Sequence, residues 1–234
     1  MWKQIKPESI LMALAVVLAA YLLKCGIETF AQKDQAVSVR GLATREVEAD
    51  NVVWPIRIKI TGSDMQGISK RIAADMQKTT AWLTEKGIDA KEIETGATEL
   101  TDRWANEYAS NYGGERYLMI GTLVVNSGDV KKVRELVSHV NKLTAQGVAV
   151  AASDWNTGIT YNFRSLNDIK PAMIEEANKN ARTAAEKFAA DSGCRIGKLK
   201  SATQGLFEIS DRDAYTPYIK EVRVVTNAQF QLKN

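Results

Sequence analysis

From Val37 to Thr61 the chain is written in alternation. Val37, Val39, Gly41 and Ala43 are apolar or small and interleave with Ser38, Arg40, Leu42 and Thr44, and Ile56, Ile58 and Ile60 interleave with Arg57, Lys59 and Thr61. A period of two sends successive side chains to opposite faces of a strand. The stretch therefore predicts two half-buried strands that double back on each other, with one face left for helices to cover.

The period then changes. Ser63-Asp64-Met65-Gln66 has the form of a capping box, and Ile68, Ile72, Met76, Thr79 and Leu83 recur at helical spacing until Gly87 offers a C-terminal cap. Glu92 to Trp104 and Arg116 to Val125 predict two longer strands, joined by the polar, glycine-containing loop 105–115. Gly128-Asp129 opens a second helix that buries Val130, Val133, Leu136, Val137, Val140 and Leu143 and stops at Gly147. Val148–Ala152 and Thr157–Arg164 form another strand pair, and Asn167-Asp168 caps a third helix with Pro171 in its first turn. In that helix Ala177, Ala181, Ala185 and Ala189 stand four apart, a ridge small enough for a backbone to approach closely. Lys198–Ile209 and Tyr218–Leu232 close the chain as a last strand pair. Strand, strand, helix thus recurs three times before two final strands. An α+β fold follows, with mainly antiparallel sheet and helices packed on its faces. No Pro/Gly/Ser-rich linker interrupts residues 36–234, although a sub-division near Ser127 is compatible with the pattern.

Ahead of this domain, Lys3 and Lys6 precede the apolar run Ile10–Leu23, and the segment continues through Lys24, Cys25 and Glu28 to Phe30. Residues 1–31 read as a signal peptide cleaved after Ala31 or as a signal anchor that stays in the membrane through residues 10–30. Lys24 and Glu28 disfavour cleavage, so retention is expected. Either way the two lysines stay cytoplasmic and the domain faces outward.

Composition narrows the chemistry. The chain has 234 residues and a formal net charge of +3, with no long basic run, so nucleic acid is not an expected partner. Cys25 and Cys194 are too differently placed to frame a disulfide. His139 is the only histidine, too few for a histidine-based metal site or a Ser/His/Asp relay. No phosphate-binding glycine loop, HExxH or CxxC occurs. Glu175-Glu176 and Asp211-Arg212-Asp213 read as solvated charge. Catalytic residues, metal and cofactor are all expected to be none. Trp54, Trp82, Trp104 and Trp155 with Tyr108, Tyr112 and Tyr117 supply more large aromatics than a minimal core needs. Tyr108 and Tyr112, in the polar loop, are the candidates for an interaction surface.

Two stretches carry a family resemblance. VSVRGLATREVEAD, with Val37, Val39, Gly41, Ala43 and Asp50, resembles the opening signature of the SIMPL-domain family, and Ala177–Leu199, with its alanines, Lys187, Gly193 and Gly197, resembles the family's alanine-rich helix. The resemblance covers roughly 36–234. It implies an exported, non-enzymatic α+β domain of the bacterial cell envelope, linked in the family to oxidative-stress tolerance. At least one member builds a ring-like or channel-like homo-oligomer. The domain is then expected in the periplasm, anchored to the inner membrane or free if the N-terminal segment is cleaved. Two functions stay open: assembly with copies of itself, or capture of a small molecule or protein partner through the 105–115 loop. For assembly, Tyr218–Leu232 is the expected open edge, with Val225 and Thr226 at its centre, and Val37–Val47 is the other edge available.

Overall fold

The strands predicted to form a hairpin are both present, but they do not pair with each other. In the computed structural model, which describes residues 7–33, 35–105, 114–151 and 158–233, β1 (Ala36–Glu48) hydrogen-bonds to β9 (Ile219–Lys233), while β2 (Asn51–Gly62) pairs antiparallel with β5 (Tyr117–Ser127) and β6 (Thr160–Asn162). Alternation reports which face of a strand is buried and carries no information on its partner. At the corner between them, Ala49 donates its N–H to Tyr218 O at 2.8 Å and Asp50 to Asn162 O at 3.0 Å. The backbone there is satisfied by other segments, not by a hairpin turn.

The remaining elements are α1 (Pro7–Lys33), α2 (Met65–Glu85), β3 (Ile93–Thr95), β4 (Glu99–Asp102), α3 (Val130–Ser138), α4 (Asn141–Ala145), α5 (Leu166–Asp191), β7 (Arg195–Gln204) and β8 (Glu208–Asp211). The fold is α+β, with two antiparallel sheets in the orders β1-β9-β7, with β8 also on β9, and β3-β5-β2-β6, with β4 also on β5. Contacts gather the chain into two compact units, Met1–Arg45 with Asn167–Glu208 and Val222–Asn234, and Glu46–Leu166 with Ile209–Glu221. Ser127 lies inside the second unit.

In the second unit, Val52, Trp54, Ile56, Ile58 and Ile60 of β2 and Met119, Leu123 and Val125 of β5 form one buried face. Onto it pack Ile68, Ile72, Met76, Trp82 and Leu83 of α2, Val133 and Leu136 of α3, and Leu143 and Val148. The α2 N-cap is Asp64 and not Ser63: its carboxylate accepts the N–H groups of Gln66 and Gly67, each at 3.0 Å, whereas the Ser63 hydroxyl donates to Glu115. A carboxylate accepts two amides at once, which one hydroxyl does less well. Gly87, at φ 85°, ends the helix as expected.

The single helix expected over Val130–Gly147 is broken. His139 and Val140 donate to Leu136 O and Val137 O, three residues back, and this tightening ends α3 before α4 begins. The long strand expected over Glu92–Trp104 is likewise split into β3 and β4. Thr95 lies opposite Leu123 and Glu99 opposite Ile120, so four steps on one strand match three on the other. The extra residue is a bulge, closed by Gly96 N–H donating to Thr122 O at 2.9 Å.

In the first unit α5 runs from Leu166, so Pro171 lies beyond the first turn. Met173, Ala177, Ala181, Ala185 and Ala189 are all buried along one face. That face meets Val37, Ala228 and Phe230, and Gly41 shows how closely. A Cβ on Gly41 would fall 1.9 Å from Ala177 O and 2.4 Å from Ala181 N. β9 is central in its sheet, flanked by β1 and β7, with Thr226 opposite Gln204 and Val225 O accepting from Gly205 N at 2.8 Å. The open edge expected at Val225 and Thr226 is therefore corrected. Few guarding charges on a strand mark either an open edge or a strand with neighbours on both sides, and here the second holds.

Among the described residues no helix is long and apolar enough to cross a membrane. The α1 side chains described include Met12, Leu14, Val16, Val17, Leu18, Tyr21, Leu22 and Leu23, all exposed.

Enlarging the α5 contact is expected to unfold the first unit selectively. Gly41→Ala should destabilise by about 3 kcal/mol or more, and Ala181→Leu or Ala185→Leu by ~1–3 kcal/mol, with Lys179→Ala near neutral in thermal unfolding. Leucine variants that melt like the wild type would contradict this packing.

Candidate functional site

A network of side chains gathers at the corner where β1 gives way to β2. Asp50 accepts the N–H of Arg164 at 2.7 Å and of Ser165 at 2.8 Å, fixing the residues that lead into α5. Burial pushes the Asp50 carboxyl up, yet the Ser165 side chain and the Arg164 and Ser165 amides together outweigh it and hold the group below its ordinary value. Beside it, buried Asn51 donates to Asn126 Oδ1 at 2.8 Å and Ser127 O at 3.3 Å, and its own Oδ1 accepts from Asn162 at 3.3 Å. The ring of Tyr218 lies 3.3 Å from the Arg134 guanidinium carbon and meets Tyr161 edge-on at 6.2 Å. Burial pushes the Tyr161 phenol up, against the nearby Arg134.

One pair in this corner has the elements of chemistry. Ser127 Oγ donates to Glu92 Oε1 at 2.8 Å and accepts from Asp129 N at 3.1 Å. Ser127 is only 1% exposed, so its hydroxyl braces the entry to α3 and is closed to an incoming substrate.

A second cluster stands at the neck of the 105–115 loop. The Arg116 guanidinium grips Asp102 with contacts of 2.8 to 3.2 Å and lies 4.9 Å from the Tyr117 ring centroid and 5.7 Å from that of Trp104. This hydrogen bond, more than charge alone, lowers the Asp102 carboxyl. Trp104 is 55% exposed. Tyr108, Tyr112 and Trp155 lie outside the described residues, whereas Trp54 and Trp82 are core and Tyr117 packs against it.

The third cluster is the turn 211–219. Asp213 takes the Thr216 hydroxyl and the N–H groups of Tyr215 and Thr216, both at 2.8 Å, while Arg212 bridges Asp213 at 3.1 Å and Glu46 at 3.3 Å. The Thr216 hydroxyl and then Arg212 hold the Asp213 carboxyl well below the usual range. Asp211 pairs with Lys220, and Glu176 faces Arg45 at 3.8 Å. These carboxylates are engaged one by one with cations and amides. Among the described residues no group of three or more His, Cys, Asp and Glu could hold a metal ion. Sequence reasoning missed Arg134, Tyr161 and Tyr218 as a cluster, because they come from three separate segments and share no spacing.

Asp50 gives a pH signature with a definite sign. Its folded carboxyl is depressed, so its stabilisation is present above the ordinary value of about 4 and is lost as pH falls through the folded value. Asp50→Ala is expected to cost ~1–2 kcal/mol near neutral pH, as loss of a capping carboxylate does. The gap in thermal unfolding between wild type and Asp50→Asn should narrow towards pH 3. A gap independent of pH would show that the carboxylate charge does not matter at this corner.

No curated protein matches the chain. A family model does, over residues 37–230, and its description reads SIMPL, protein of unknown function (DUF541). The matched span runs from the first buried valine of β1 to the last core phenylalanine of β9 and takes in Gly41, Asp50 and the alanine face of α5. With most of its length matched, the chain belongs to the SIMPL family.

Proposed function

We propose that this protein works without catalysis, as a membrane-anchored domain of the cell envelope that associates with copies of itself through the free edge of β1. The observation that carries the reading is that β1, 13 residues long, pairs among the described residues with β9 alone. Its outer edge presents unpaired backbone groups, which proteins either block or use. The opposite edge of the same sheet is blocked in two ways: β7 carries Arg195, Lys198 and Lys200 and shifts register twice, between Ile196 and Leu199 and between Leu199 and Ser201. On β1 the cover is slighter, with Asn180 donating to Leu42 O at 2.8 Å.

The sequence of β1 is also complementary to itself. Paired antiparallel about Ala43, Arg40 of each copy lies opposite Glu46 of the other, Val39 opposite Val47, and Leu42 opposite Thr44. Opposite charges and apolar pairs then meet on matching faces, as a two-fold contact requires. The anchor rests on the apolar run Ile10–Leu23, which begins before the side chains described in α1, and on its continuation to Phe30. At 1.5 Å per residue a helix over Ile10–Phe30 measures about 30 Å, the thickness of a bilayer core. The family resemblance adds a role in oxidative-stress tolerance to this proposal.

Two measurements check these statements. Light scattering of the detergent-purified full chain, with bound detergent subtracted, should give a dimer or larger particle. Arg40→Glu should dissociate it by placing Glu opposite Glu, and Arg40→Glu combined with Glu46→Arg should restore it. A wild-type monomer at high concentration would sink the assembly reading. N-terminal sequencing of envelope-extracted protein should find residues 1–31 retained, whereas a chain beginning at Gln32 would overturn the anchor.

A further inference from the structure

In the first unit α5 does not cover the whole sheet beneath it. Its small-residue face comes down on Gly41 of β1 and meets Ala228 and Phe230 of β9. Of β7, Ile196 packs against that core, but Leu199, opposite Phe230 and on the same side of the sheet, is left 54% exposed. The uncovered strip is the floor of a cleft of about 680 Å³ between α5 and β7. Leu199, Ala202 and Phe230 line the floor, Lys179 and Arg182 stand on the helix wall beside Glu175, and Lys198 stands on the strand side. Arg182 is engaged with Glu186 at 3.0 Å, whereas Lys179 and Lys198 enter no ion pair among the described residues. With Arg182 balanced in this way, two lysines face one carboxylate, and the cleft keeps a net positive charge.

We propose that this cleft binds an anionic amphiphile of fatty-acid type, its acyl chain on the Leu199–Phe230 floor and its carboxylate held by Lys179 and Lys198. Charge selects the head group, since both lysines need a counter-ion that the described residues do not supply. Shape selects the body. The volume falls within the range of small-ligand sites, about 300–1,000 Å³. The floor runs along β7 from Gly197 to Ala202, at most about 16 Å at 3.3 Å per residue. An apolar strip of that length fits an extended acyl chain. A polypeptide gains less here. β7 carries Arg195, Lys198 and Lys200 and shifts register twice, so its edge offers no regular ladder for an added strand. The contact at Gly41 holds α5 over β1 and β9, so the helix does not slide across to close the strip. This site is independent of the β1 edge and of self-association.

The test uses the full chain in phosphatidylcholine bilayer discs, a photoreactive diazirine analogue of laurate, and mass spectrometry of the labelled peptides. Cross-links are expected within 196–202 and 228–230, displaced by excess laurate. The corresponding diazirine alkanol, which has no charge, should label these segments at least ten-fold less. Lys179→Glu combined with Lys198→Glu, both at exposed positions, should lower laurate labelling there at least ten-fold. Ala202→Trp, also exposed, should fill the cleft and do the same, with each variant melting like wild type. Labelling confined to α1 overturns the proposal, as does cleft labelling that survives either variant or is equal for the alkanol. A fluorescein-labelled Leu-Glu-Leu-Glu-Leu-Glu peptide whose binding Ala202→Trp blocks, with no laurate labelling, would make the cleft a peptide site and equally overturn it.

Discussion

The contact on which the first unit depends is the approach of a helix backbone to a strand backbone at Gly41. With 1.9 Å between a hypothetical Cβ and Ala177 O, only glycine fits there, and the helix residues nearest it, Ala177 and Ala181, are small and fully buried. Large side chains would hold α5 off the sheet and leave Val37, Ala228 and Phe230 partly wet. The energy of such an interface lies in close packing more than in apolar area, since alanine buries little. That makes it sensitive to single methyl groups in a way that a leucine-lined interface is not.

Nine residues further on, Asp50 solves a different problem. β1 and β2 are nearly continuous in sequence yet belong to different sheets, so the two residues between them must be satisfied by segments distant in sequence. The amides of Ala49 and Asp50 find Tyr218 and Asn162, and the Asp50 carboxylate returns the favour to Arg164 and Ser165. Gly41 and Asp50 thus fix the two ends of one strand segment, one by absence of a side chain and the other by a charged acceptor. The same strand has its face taken by α5 and its inner edge by β9, and among the described residues no strand pairs with its outer edge.

Much of this was legible in the sequence. The alternation in β1 and β2, the helical stripe from Ile68 to Leu83 and the small-residue face of α5 follow from local periodicity, whereas the strand expected at Val148 is reduced to an isolated bridge between Val150 and Ile58 and the strand expected over Lys198–Ile209 divides into β7 and β8. What failed was partner assignment. Nothing in Val37–Thr61 says that its halves join different sheets, and the uncharged second half of β9 reads alike for an edge and a centre. The split of the helix at His139 and the bulge after Thr95 were missed because a local tightening or an extra residue leaves the apolar pattern almost intact. The Asp50 corner and the cleft beside α5 were illegible for a deeper reason. Each is assembled from segments far apart in the chain, and their chemistry exists only once register is set.

The face of β1 is buried within one molecule, and the proposed self-association uses its outer edge. Amide hydrogen exchange across residues 37–47 of the full chain, compared at low and high protein concentration, addresses it directly. Alternate amides, those pointing away from β9, are expected to exchange fast when dilute and gain protection as concentration rises, while those bonded to β9 stay protected throughout. Protection of every β1 amide that does not change with concentration would contradict it.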